Sequence, residues 1–156
     1  MTAQDGVTTK TYTINLTRLD TPLTIWRDTY FTPAGSSTST TGPGADANDF
    51  DGDGVVNLIE YVAGTDPTVA SANPVVSGTT TLGADTVLTL TYPRHPTDSS
   101  LAYSVLGSTD LTSGFGPTTG NTTISGGNAT YTDTVPLNAT NPRRFLRLQV
   151  GPAPAP

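Results

Sequence analysis

Cysteine is absent, which excludes disulfides, thiolate zinc sites, iron–sulfur clusters and thiol nucleophiles and leaves the cellular compartment unread from that residue. Basic charge is scarce. Lys and Arg total 7 against 13 Asp and Glu, for a net charge of −6 and a pI near 4.3. No basic surface is available to neutralise a phosphate backbone or an anionic leaflet, so nucleic-acid and membrane-surface binding are disfavoured. No run of about 18 apolar residues occurs, which leaves no candidate membrane-spanning helix. Met1 is followed by the polar TAQDGVTTK, where a secretion signal would start basic and continue into an apolar core.

What is present favours strands. Threonine makes up about a fifth of the 156 residues, and 16 Gly with 13 Pro nearly another fifth, which points to an all-β chain rich in turns. The length suits one domain, or a smaller one with an appendage. In KTYTINLTRL, Tyr12, Ile14 and Leu16 alternate against Thr11, Thr13, Asn15 and Thr17, the pattern of a half-buried strand. The following DTPLTIWRDTYF sets Leu23, Trp26, Tyr30 and Phe31 at helical spacing, so a short helix over 23–31 is expected and the strand has no adjacent hairpin partner. TPAGSSTSTTGPGADAN has no periodicity and reads as a surface loop.

The stretch DFDGDGVVNLIE, residues 49–60, carries the chemistry. Asp49, Asp51 and Asp53 stand at positions 1, 3 and 5 of a twelve-residue loop, Gly54 at 6, Val55 at 7, Asn57 at 9 and Glu60 at 12, which fills every demanding position of the EF-hand pattern. A hard cation takes six to eight oxygens. The three short carboxylates converge, Val55 offers its carbonyl, Glu60 offers both carboxylate oxygens, and Asn57 occupies the position that often coordinates through water. Val56, Leu58, Ile59, Tyr61 and Val62 begin a helix of about two turns that Gly64 can end, with Asp66 and Pro67 as a stop. The loop is single and Met1 is the only methionine, whereas calcium sensors pair two such units over a Met-rich groove. The expected cofactor is therefore Ca²⁺ as a structural staple.

On these residues, DANDFDGDGVVNLIEYVAGTDP resembles the calcium loops of dockerin and thrombospondin type 3 repeats, and especially a DPDGDGxxNxxEYxxGxDP segment near the C-terminus of many bacterial secreted and surface proteins. In such proteins a W-R-x-x-Y-F segment precedes the loop, as Trp26, Arg27, Tyr30 and Phe31 do here, and a β-rich module ending like RRFLRL follows. TYTINLTRL is also similar to the last strand of a bacterial cadherin-like β-sandwich domain. The resemblance implies secretion and calcium, and implies no chemistry. Together with a calcium loop suited to millimolar extracellular calcium, it makes the expected location extracellular or at the cell surface, with a leader missing from this sequence.

After the loop, NPVVSGTTTL, DTVLTLTY, LAYSVLGSTDL, NATYTDTVPL and RRFLRLQV read as strands between Gly, Pro, Asn and Ser turns. Val87, Thr89 and Thr91 alternate against Leu88, Leu90 and Tyr92, and Phe145 and Arg147 against Leu146 and Leu148. The expected fold is a small antiparallel, immunoglobulin-like β-sandwich with a short helical calcium-loop insertion and an N-terminal extension strand. Its parts are residues 1–20 (strand), 21–73 (helix, loop and calcium segment), 74–151 (sandwich) and 152–156, a Pro-rich tail that cannot pair as a strand. Five strands fall one or two short of the usual sandwich, and the N-terminal strand is the candidate for the vacancy.

That strand can close onto its own domain, belong to a missing upstream domain, or lie in the groove of a neighbouring copy, where Tyr12, Ile14 and Leu16 would fill pockets and copies would chain head to tail without closing. The favoured function is a non-enzymatic structural subunit of a calcium-stabilised surface filament assembled by donor-strand exchange. The partners are then other copies, or neighbouring domains of a surface protein. The alternative is a carbohydrate- or surface-binding module with Trp26, Tyr92, Tyr103, Phe115 and Tyr131 as a sugar platform. Catalysis finds no support in spacing: His95, the sole histidine, has no triad partners, and Asp85, Asp98, Asp110 and Asp133 form no recognisable pair. Sequons at Asn15, Asn121, Asn128 and Asn138 are nearly expected in so Thr-rich a chain.

Overall fold

A computed structural model describes residues 2–4, 9–11 and 20–153. Two short strands, β1 (Thr2–Gln4) and β2 (Thr9–Thr11), pair antiparallel with Thr2 opposite Thr11. The beginning of the N-terminal strand thus has an upstream hairpin partner, which an inspection of only the segment after it misses. Tyr12, Ile14 and Leu16 lie outside the described residues.

Helix α1 (Pro22–Tyr30) matches the spacing of its apolar residues. Thr21 caps it, its Oγ1 accepting the Thr24 amide at 3.2 Å, and Pro22 takes the first turn, where no amide is needed. The 32–48 segment is more than a surface loop. Phe31 is buried, and a Cβ on Gly44 would collide with its ring. The buried Arg27 donates from Nε to Gly44 O (3.1 Å) and pairs through Nη2 with Asp46, so a cation on α1 ties the loop down. The segment follows no period because it is organised around individual carbonyls and side chains.

The sandwich has two antiparallel sheets: β3 (Val76–Leu82), β4 (Asp85–Pro93), β8 (Asn128–Pro136) and β7 (Gly120–Ser125) in the order β3-β4-β8-β7, against β6 (Gly116–Pro117), β5 (Leu101–Ser108) and β9 (Phe145–Pro152) in the order β6-β5-β9. The expected five strands are all present. The additional β6 and β7 come from residues 116–125, a stretch of Gly, Pro, Thr and Asn with almost no apolar alternation, so the vacancy inferred by counting strands is filled from inside the sandwich. Both β3 and β7 are exposed along their whole length. They are edges of the larger sheet that the smaller one does not cover, and edges without a buried face carry no period-two signal.

The core between the sheets is Leu90, Tyr92, Val105, Ala129 and Tyr131, with Val75, Tyr103, Leu146 and Leu148 at its margin. Val87 is buried with Leu90 and Tyr92 rather than facing outward with Thr89 and Thr91, because the β4–β8 register shifts between Val87 and Thr89. In the irregular stretch, Asp133 Oδ1 accepts the amides of Thr134 (2.8 Å) and Val135 (3.3 Å), and Arg144 Nε donates to Oδ2 at 2.5 Å. The tail also differs from expectation. Gly151 and Pro152 continue β9 opposite Ala102 and Leu101, and the Ala153 amide donates to Ser100 O at 2.7 Å. Pro152 is tolerated there because it ends the strand, where its missing amide costs no interior ladder bond.

A second core, Leu58, Tyr61, Val62 and Leu101 with Leu23, Trp26, Tyr103 and Val150, joins the helical segment to the sandwich. Trp26 stands edge-on to Tyr61, with ring centroids 5.5 Å apart. Tyr103 touches both cores.

Candidate metal centre

The loop from Asp49 to Glu60 is shaped by its own carboxylates. Asp49 Oδ1 accepts the amides of Gly52 (2.8 Å) and Asp53 (3.1 Å), and its Oδ2 accepts that of Gly54 (2.8 Å). Asp51 Oδ1 accepts the Asp53 amide (3.1 Å) and Asp53 Oδ1 the Val55 amide (2.7 Å). The tight winding needs left-handed backbone at Gly54, φ 91°, where the space around a would-be Cβ is open, so the glycine is required by conformation and not by crowding. One oxygen from each of Asp49, Asp51 and Asp53 then lies within 4.8 Å of the others.

Helix α2 (Asn57–Ala63) follows and ends as the sequence predicts, with Gly64 at φ 73° donating to the carbonyls of Glu60 and Tyr61. One turn in, it carries Glu60 to full burial (0% exposed), and neither carboxylate oxygen has a hydrogen-bond partner. Asp51 Oδ2 is likewise buried and unpartnered. Burial first, and then the charges of Asp51, Asp53, Asp49 and Asp66, push the Glu60 carboxyl up to about 7. Buried carboxylates without partners are costly, and a positive charge reverses that cost. The donors are all oxygen and mostly anionic, which fits a hard divalent cation such as calcium and not the nitrogen and sulfur preference of zinc. Residues Asp49, Asp51, Asp53 and Glu60 would hold it.

The other two expected ligands, Val55 and Asn57, are both buried. Asn57 is fully buried, and its Nδ2 donates to Pro43 O (2.9 Å) and Ala45 O (3.0 Å), leaving Oδ1 without a partner. Its backbone amide donates to Asn48 O (2.7 Å), so Asn57 joins α2 to the preceding loop. Val55 donates its amide to Asp53 Oδ1, a bond that does not engage the carbonyl expected to face a cation. The loop pattern does not reveal Ser71, whose amide donates to Asp53 Oδ2 at 2.6 Å from outside the twelve residues. Eighteen residues separate the pair, so only the folded chain brings them together.

Of the other ionisable groups weighed from sequence, Asp98, Asp110, Asp133 and His95 are each held by protein partners. Asp133 is fully buried with Arg144, and Asp110 accepts from the Thr112 amide (2.9 Å) and hydroxyl. Asp98 Oδ2 accepts the Tyr61 hydroxyl at 2.6 Å, and Oδ1 accepts from Ser100. Burial raises the Asp98 carboxyl, but bonds from Ser100 and Tyr61 outweigh it and the net shift is downward. His95 stacks on Tyr61 (4.5 Å between centroids), and its Nδ1 accepts the Asp98 amide at 3.0 Å. This histidine shapes the turn that receives α2. Among the proposed platform aromatics, Tyr92 and Tyr131 are buried in the core and Trp26 packs on Tyr30, Phe31 and Tyr61. Compared with known proteins, the chain matches no family model, no curated protein and no solved structure.

Proposed function

We propose that this protein is a non-enzymatic extracellular structural module in which calcium staples the helical segment to a β-sandwich. The observation that carries the reading is Glu60: a wholly buried carboxylate with both oxygens unbonded, in the first turn of the helix that follows three converging aspartates. Isothermal calorimetry of the purified chain tests it. Calcium is expected to bind with one-to-one stoichiometry, and absence of binding at millimolar calcium would sink the proposal.

The assembly proposed for the module is a head-to-tail filament in which the N-terminal strand of one copy pairs with the next. Strand counting no longer supports this, but β9 does. It has β5 on one side and, among the described residues, no strand on the other. Two adjoining clefts of about 280 and 440 Å³ run beside it, sharing Val56, Ile59, Arg147 and Leu148. A free edge eight residues long can take an added strand through backbone bonds, with alternate side chains filling pockets, and Tyr12, Ile14 and Leu16 supply that alternation. Electron microscopy at high protein concentration should show ordered fibres in calcium that Ile14→Asp abolishes without unfolding the chain. Monomers of the unaltered protein under all conditions would exclude filament assembly and return attention to a terminal, surface-binding module.

A further inference from the structure

We propose that the cation site extends past Glu60 to the segment after α2, with Ser71 as a positioning residue, so that metal occupancy clamps residues 66–73 and sets where the sandwich begins. The inference rests on the calcium reading. The chain leaves α2 through Gly64, and the Thr65 amide returns to Glu60 O at 3.0 Å. Asp66 then folds a local turn, its Oδ1 accepting the Thr68 amide (2.9 Å) and hydroxyl (2.6 Å), with Pro67 fully buried beneath it in sequence. This turn aims the Ser71 amide at Asp53 Oδ2, and five residues later β3 starts at Val76.

Asp53 is thereby held at both ends, Oδ1 by Val55 and Oδ2 by Ser71. Each carboxylate oxygen has two acceptor directions, so both bonds leave lone pairs for a cation. The Ser71 hydroxyl is buried close to the same Asp53 carboxylate that its amide contacts. The second mark of a ligand is independent of this bond: Glu60, in the first turn of α2, is fully buried with both carboxylate oxygens unpartnered.

The coupling follows from charge. With a cation present, Asp53 is pinned and Ser71 has a fixed acceptor. Without one, Asp49, Asp51, Asp53 and Glu60 repel and the acceptor shifts. By linkage, docking of Ser71 raises metal affinity by the factor by which metal favours docking.

Hydrogen exchange on the full chain, in calcium and in chelator, tests the clamp. The amides of residues 66–73 should exchange at least about tenfold more slowly in calcium, the scale of one hydrogen bond to a charged group; equal rates overturn it. Calorimetry adds a second arm. Ser71→Pro, which removes the amide, should weaken calcium binding about tenfold, while Ser71→Ala, which keeps it, should cost less. If the unaltered chain binds no calcium, the underlying reading fails. If it binds but Ser71→Pro binds equally well and exchange is unchanged, the clamp alone fails. Should Ser71→Pro not fold, the exchange comparison on the unaltered chain decides.

Discussion

Glu60 and Asn57 occupy neighbouring positions of one motif yet answer to different physics. Glu60 is an anion with no partner, and Asn57 a neutral amide already bonded to two carbonyls. Glu60→Gln is therefore expected to abolish the calcium-induced rise in melting temperature while melting no lower than the parent in chelator at pH 8. Asn57→Ala should melt lower in both conditions, by the roughly 1–3 kcal/mol of stranded buried acceptors. Differential scanning calorimetry separates the two, and equal behaviour would reject the division of roles. The metal-free protein should also respond to pH. Its Glu60 carboxyl stands at about 7, above the ordinary 4.5, so the folded state holds the proton more tightly than the unfolded one. That contribution is complete below about 4.5 and lost as pH rises through about 7. Asp53, Asp98 and Asp110 are shifted downward and act oppositely, losing their contribution only as pH falls below their ordinary 3.8. In chelator, melting is expected to fall between pH 5 and 8 in the parent and much less in Glu60→Gln.

At the level of elements, the sandwich is joined by one buried pair. Arg144, immediately before β9, reaches Asp133 on β8 with two nitrogens and also Thr118, crossing from one sheet to the other. Gly107 on β5 makes room, since a Cβ there would collide with the guanidinium. Asp133→Asn leaves the guanidinium buried without its counter-charge and should destabilise by about 3–5 kcal/mol, read as a lower urea midpoint with an unchanged slope. Replacing Asp133 and Arg144 together by apolar residues should cost less than the single change. The helical segment is attached differently, through the Tyr61–Asp98 bond and aromatic packing, so its position relative to the sandwich depends on α2 being correctly wound.

For the whole molecule, the acidic loop lies between α1 and the first strand of the sandwich; Asn57 ties it to the segment after α1, and Asp53 ties it to Ser71 on the way to β3. Calcium bound there should stabilise the entire cooperative unit and not one loop. At about 100 times its dissociation constant, a ligand specific for the native state adds roughly 2.7 kcal/mol. Chelation should lower a single melting transition seen alike by far-ultraviolet circular dichroism and by Trp26 fluorescence. Loss of the fluorescence transition alone would mean that the metal stabilises only the helical segment.

The sequence by itself determined the loop, the two helices and five strands. These depend on features within a few residues: alternate carboxylates, a left-handed glycine, apolar residues at helical or period-two spacing, or, for the exposed β3, Val and Thr between turn residues. It left β6 and β7 unseen because exposed edges bury no alternating face, and it placed Val87 on the wrong side because a register shift is a property of two strands together. The order in the 32–48 segment, the Arg144–Asp133 pair and the Ser71–Asp53 bond were decided by tertiary structure alone. In each, a polar group meets partners 11 or more residues away, a distance over which composition and periodicity carry no information.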